Sequence, residues 1–106
     1  LHALMDALPN PVWVKDAESR FLRLNPPAAR TLGLDDPAAA IGKTDADFFP
    51  AAVAGQYRAD ERRVLETGEP VIDKAEAHGE GTSTRWFLTS TAPLREGGRV
   101  VGVVGS

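Results

Sequence analysis

Residues 12–30, VWVKDAESRFLRLNPPAAR, decide the fold. Two short apolar runs, Val12-Trp13-Val14 and Phe21-Leu22-Arg23-Leu24, flank the polar turn Lys15-Asp16-Ala17-Glu18-Ser19-Arg20. The second run alternates with a period of two, which suits a half-buried strand. The turn is rich in side chains that bond their own backbone, which suits a hairpin loop. Asn25 can accept from a free N–H of a following helix, and Pro26 at the first helical position needs no N–H partner. The stretch therefore reads strand, turn, strand, capped helix.

Outward from this block, composition narrows the classes. The chain has 106 residues, enough for one domain with a modest core, and 42% of them are hydrophobic in short runs. No run is long enough to cross a bilayer. The first eight residues contain Asp6 and lack a basic leader, so they do not read as a signal peptide, and a cytoplasmic location is expected. The chain starts without Met and is expected to be a piece of something longer. With 12 basic and 15 acidic residues the net charge is -3. That argues against a nucleic-acid surface, which needs clustered Lys and Arg. No cysteine is present, which removes disulfides, thiolate metal sites and Cys nucleophiles from consideration.

Before the hairpin, Leu1, Leu4, Met5 and Leu8 follow helical spacing up to Pro9. Residues 1–9 are expected to form an amphipathic helix, either a lid on the sheet or a dimer contact; the two roles are compatible. After the hairpin, residues 28–34 read as a short helix stopped at Gly33, and residues 38–41 as a brief turn. Thr44 followed by Asp47 reads as a capping box, with Asp45 and Asp47 near the positive end of a helix dipole. A catalytic or metal-binding carboxylate pair is the sharper reading of the same two residues. Capping is preferred, because no third ligand is close in sequence.

Residues 51–67 form the longest helical segment, with Val53, Tyr57, Val64 and Leu65 on one side. Arg58, Asp60, Glu61, Arg62, Arg63 and Glu66 read as a solvated mixed-charge face. Gly68 is a left-handed C-cap candidate. Residues 70–78 and 84–94 read as strands joined by a loop over residues 79–83. Glu96-Gly97-Gly98 is a hairpin turn, followed by a final strand over residues 99–106. Gly102 and Gly105 within that strand imply close approach of a neighbour. Strands separated by a helical block argue an α+β fold, not alternating α/β.

This order of pieces resembles a PAS domain, the sensory fold of bacterial signalling proteins. The resemblance rests on Val12-Trp13-Val14, Asp16, residues 21–24, Asn25-Pro26, Leu32-Gly33, Ile41-Gly42-Lys43-Thr44 and Phe48-Phe49-Pro50. It continues through Val64-Leu65, Gly68-Glu69-Pro70-Val71, residues 86–94 and Gly98 to Gly105, so it covers nearly the whole chain, with the PAS body at 10–106. It implies a five-stranded antiparallel sheet with short helices and one longer helix over one face. It also implies a cleft between sheet and helices that can hold a cofactor or small ligand, a homodimer, and an effector domain in the same polypeptide: a histidine kinase of a two-component system, a cyclase or a transcription regulator.

Cofactors can be partly sorted. The covalent flavin and thioester-chromophore subgroups need a Cys that is absent here. Haem members use a His on the helix facing the cleft, and residues 51–67 contain none, so haem is not expected. A noncovalent flavin or small metabolite stays open. The candidate cleft residues are Leu22, Leu24, Phe48, Phe49, Tyr57, Val64, Ile72, Trp86, Leu88 and Ser90. The same set describes a filled core, and that is the preferred reading, because aromatic stripes at these spacings are ordinary core. Trp13, Trp86 and Phe87 could instead lie on the outer sheet face at a dimer interface. No catalytic or metal residue is expected. A hydrolase built on His78 with Asp45, Asp47 or a Ser would lack a nucleophile elbow, a zinc-binding His pair and a phosphate loop.

Overall fold

The computed structural model describes residues 2–78 and 85–106, without the side chains of residues 2, 3, 77, 78, 85 and 86. Helix α1 (His2–Ala7) precedes the hairpin of β1 (Trp13–Asp16) and β2 (Phe21–Leu24). Helix α2 (Pro26–Thr31) follows, then 3₁₀ turns at Pro37–Ala40 and Asp45–Asp47, helix α3 (Ala51–Thr67), and strands β3 (Val71–His78), β4 (Arg85–Glu96) and β5 (Arg99–Gly105). The five strands form one antiparallel sheet in the order β2-β1-β5-β4-β3. The last strand thus enters beside the first, as the α+β expectation requires. The loop expected over residues 79–83, like Leu1, lies outside the described residues.

The opening block behaves as its local chemistry dictates. Asp16 accepts from the backbone N–H groups of Glu18 and Arg20 at 2.9 Å each, closing the hairpin. Burial pushes the Asp16 carboxyl up, but these bonds and the Arg20 guanidinium outweigh it and hold the pKa below its ordinary value. Asn25 is fully buried and uses both ends of its amide. Its Oδ1 accepts from Val12 N and Ala28 N, each at 3.0 Å, and its Nδ2 donates to Met5 O and Asn10 O. One side chain therefore caps α2 and ties α1 and the start of β1 to the sheet.

The core beneath this block is Phe21, Leu24, Ala28, Ala29 and Ala40, with Trp13, Leu32, Leu34 and Phe48 packed against it. Phe21 and Phe48 meet edge to face at 6.2 Å. Two glycines of β5 are there for want of space. A Cβ on Gly102 would lie 2.1 Å from the backbone oxygen of Lys15, and one on Gly105 would lie 2.2 Å from the Trp13 ring. The Gly97-Gly98 turn has positive φ at both residues, as a tight hairpin requires. At the far edge, Asp73 takes a φ of 51° and β3 slips register between Val71 and Lys74. Gly68 closes α3 with a left-handed φ of 69°, donating to Val64 O at 2.8 Å.

Candidate functional site: a cleft with a buried ion triad

Register fixes which side chains face the helices. Opposed residues of an antiparallel pair share a face, and neighbours along a strand do not. Lys74 reaches Asp60 on α3, so Lys74 and its partner Thr89 face the helices, as do Glu76 and Phe87. Trp13 and Lys15 share a face with Gly105 and Val103. These residues, with α3 and the Asp45–Asp47 turn, enclose a cleft of about 680 Å³. Its walls include Trp13, Phe21, Leu24, Phe49, Tyr57, Val71, Phe87 and Thr89. That size is within the range of small-molecule sites. A filled core was the preferred expectation. An open cleft lies between the sheet and α3 in its place.

Three charged side chains meet on this cleft. Lys15 is 2% exposed, and its Nζ lies 2.6 Å from Asp45 Oδ2 and 2.6 Å from Glu61 Oε2. The ammonium also sits 4.7 Å from the centre of the Phe21 ring. Burial of charge is tolerable only with such pairing. Glu61 is 5% exposed, and its second oxygen, Oε1, has no hydrogen-bond partner. Burial raises the Glu61 pKa above its ordinary value, with Lys15 pulling in the opposite direction. Trp13 Nε1 is likewise buried without a partner. Tyr57, edge to face with Phe49 at 5.4 Å, is pushed up to about 12 by burial and then by the Glu76 and Asp45 charges, so its phenol keeps its proton. Among the described residues no group of three or more His, Asp or Glu is arranged to hold a metal ion.

The triad overturns two expectations. Glu61 does not belong to a solvated charged face. The buried stripe of α3 is Ala54, Glu61 and Val64 with Tyr57 half-buried, spaced three, four and three, while Val53 lies outside it and is exposed. Asp45 does not cap; Asp47 does, accepting from Thr44 N at 3.0 Å, which frees Asp45 to turn inward to Lys15. Lys15, read as part of the turn, is a strand residue whose alternation with Val14 sends it to the same side as Trp13.

Of the ten residues expected at the cleft, Leu24, Phe49 and Tyr57 line it. Leu88 and Ser90 border it, but register turns their side chains to the other face of the sheet, and Leu88 is 66% exposed. Leu22 and Ile72 are corrected: they are 48% and 63% exposed and do not line the cleft. Leu22 falls at the register slip between β1 and β2, and Ile72 at the slip in β3. Val64 and Phe48 are also corrected, since Val64 is fully buried and Phe48 packs on the core cluster. The Trp86 side chain lies outside the described residues. In α1, Met5 is buried, while Leu4 and Leu8 are exposed.

A family model described as the PAS fold matches residues 5–106. The chain is a PAS domain. It is similar to the methanogenesis regulatory histidine kinase FilI of Methanothrix harundinacea, with 33% identity over 104 residues, 96% of this chain and 11% of that protein. Among solved structures it resembles VqmA bound to DPO, with a TM-score of 0.85 and 26% identity over 98% of this chain and 53% of the other. The PAS domain of Bordetella pertussis BvgS matches with a TM-score of 0.82 and 28% identity, covering 98% of this chain and 79% of that one. This PAS domain spans about a tenth of the length of the curated relatives it matches. No helix among the described residues is long and apolar enough to cross a membrane.

Proposed function

We propose that this PAS domain is the sensory module of a longer cytoplasmic signalling protein, that it pairs with a second copy of itself, and that it relays a signal to an effector in the same polypeptide. A histidine kinase is the favoured effector, with a cyclase or transcription regulator as the other outputs. The observation that carries the reading is the open cleft with Lys15, Asp45 and Glu61 at its wall. One ion triad there joins the first strand, the turn before α3 and α3 itself. A change in the cleft therefore bears on three elements at once, which is what a relay needs. The likeness to a histidine kinase supports the output. Exposed Leu4 and Leu8 on and beside α1 support its role as a dimer contact, the role expected for Leu1, Leu4, Met5 and Leu8. The domain is assigned no catalysis and no nucleic-acid contact of its own.

The second reading, a noncovalent ligand held in the cleft, is favoured by its volume and by the likeness to VqmA in complex with DPO. The test is a thermal-shift screen of small metabolites against the wild-type chain and against Thr89→Trp, which fills the cleft from β4. Compounds that raise the wild-type melting temperature and leave Thr89→Trp unmoved support a sensory cleft. A screen in which every hit stabilises both proteins equally counts against it. Sedimentation of the chain at high concentration tests the pairing, and strictly monomeric behaviour would contradict it.

A further inference from the structure

We propose that Ser19 is a positioning residue that carries the state of the Lys15–Asp45–Glu61 triad to the outer surface of α3 through Arg58. The inference rests on the reading of the triad as a relay and adds the path by which its state leaves the cleft. The carrying observation is the place of one hydroxyl. Ser19 is 3% exposed and stands in the β1–β2 turn with a left-handed φ of 62°. Glycine takes that backbone region freely, and a buried serine there is strained. Its hydroxyl is what a glycine would lack. Arg58 Nη1 donates to Ser19 Oγ at 2.6 Å and to Ala17 O at 3.3 Å. Arg58 makes no ion pair among the described residues, so these two oxygens hold it. The same Ser19 hydroxyl hydrogen-bonds the Glu61 carboxylate, which lowers the Glu61 pKa against the burial that raises it.

A hydroxyl has one proton to give and lone pairs that receive. An ionised Glu61 only accepts, so Ser19 donates to Glu61 and accepts from Arg58. The two bonds run in one direction and polarise each other. A neutral Glu61 ends that order, and Arg58 then meets a weaker acceptor. Arg58 and Glu61 stand three apart on α3, so both reach the same turn. The charged groups acting on Glu61 are Lys15 of β1 and Asp45 of the turn before α3, with Arg58 linked to it through Ser19. On its outer side Arg58 borders a groove of about 330 Å³ with Ala17, Arg62, Leu65, Glu66 and Val100. A change in the triad therefore surfaces in that groove as a loosened guanidinium.

The experiment is an NMR cycle on the chain at neutral pH that reads the rotation of the Arg58 guanidinium, which a hydrogen bond at Nη1 slows. Loss of the signal in Arg58→Met identifies it. Wild type, Glu61→Gln, Ser19→Gly and the double variant are compared. Glycine is at home at positive φ, so Ser19→Gly removes the hydroxyl without straining the turn. Glu61→Gln is expected to speed the rotation about twofold or more when Ser19 is present. In Ser19→Gly the rotation is already fast, and adding Glu61→Gln should leave it unchanged. If Glu61→Gln does not fold, lowering the pH to protonate Glu61 takes its place, with the Glu61 carboxyl carbon followed in the same samples. Equal rotation in wild type and Glu61→Gln would overturn the proposal. So would an effect of Glu61→Gln that persists in Ser19→Gly. Either result leaves the reading of the cleft standing, because the metabolite screen with Thr89→Trp decides that separately.

Discussion

Lys15→Met is the sharpest perturbation of the triad. The side chain is buried, and methionine fills nearly its volume, so packing changes little. What is lost is the only ammonium that bonds both Asp45 and Glu61 among the described residues. Two carboxylates are then left together out of water. Removing one partner of a buried pair costs about 3–5 kcal/mol, because the surviving charge is uncompensated. A domain of this size has about 5–15 kcal/mol in total. The loss corresponds to roughly 12–20 °C in melting temperature. Urea unfolding at pH 7 followed by tryptophan fluorescence reads it, with the slope held as a check on two-state behaviour. The cost should shrink as the pH is lowered, because burial raises the Glu61 pKa and favours its protonated form. Asp45→Asn and Glu61→Gln added to Lys15→Met should recover part of the loss, since the uncompensated charge is removed while the two buried amides still lack partners. A Lys15→Met cost below about 1 kcal/mol, or a triple variant no more stable than the single, would refute the reasoning.

Other outcomes follow from the same structure. Glu61→Gln tests the sign of the Glu61 shift: a carboxyl with a raised folded pKa loses stability as pH climbs from its unfolded value of 4.5 to its folded value, then levels off. Wild type should therefore fall relative to Glu61→Gln across that window in urea titrations, and a parallel pair of curves would contradict it. Gly102→Ala drives a methyl into the Lys15 carbonyl and should cost about 1–3 kcal/mol or more, visible as a lower urea midpoint; an unchanged midpoint would show that β1 and β5 can separate without loss. Asn25→Ala removes a cap and orphans the Val12 and Ala28 N–H groups and the Met5 and Asn10 carbonyls, for a cost of about 2–4 kcal/mol. Faster amide exchange at the start of α2 and near Met5 would accompany it, and exchange unchanged at both would count against the Asn25 tie.

The parts of the fold that could be read from the chain are those with local causes. Asp16 bonds backbone two and four residues away, Asn25 caps three residues on, and Gly68 and Gly97-Gly98 take backbone angles that their type announces. The triad was not legible in the same way. Lys15 meets Asp45 across 30 residues and Glu61 across 46, and nothing near any of them signals the others. A usable sign did exist in α3, where Glu61 occupies the stripe set by Ala54, Tyr57 and Val64. Counting charges along the helix hid it; counting spacing would have exposed it. Parity failed on β3 and β4 for another reason. The slip at Asp73 and the pairing of Ala75 with Leu88 put Ile72 and Leu88 on surfaces that alternation alone cannot assign.

The central claim is that the state of the cleft sets the output of the protein that carries this domain. The most direct measurement is the effector activity of the full-length protein bearing Thr89→Trp, beside wild type and an exposed-surface control such as Arg99→Lys. Coupling between a sensory site and an effector is usually about 1–3 kcal/mol, so filling the cleft should move the output roughly 5–150-fold in one direction while the control stays at the wild-type level. An output that stays at the wild-type level in a folded Thr89→Trp protein would contradict the account.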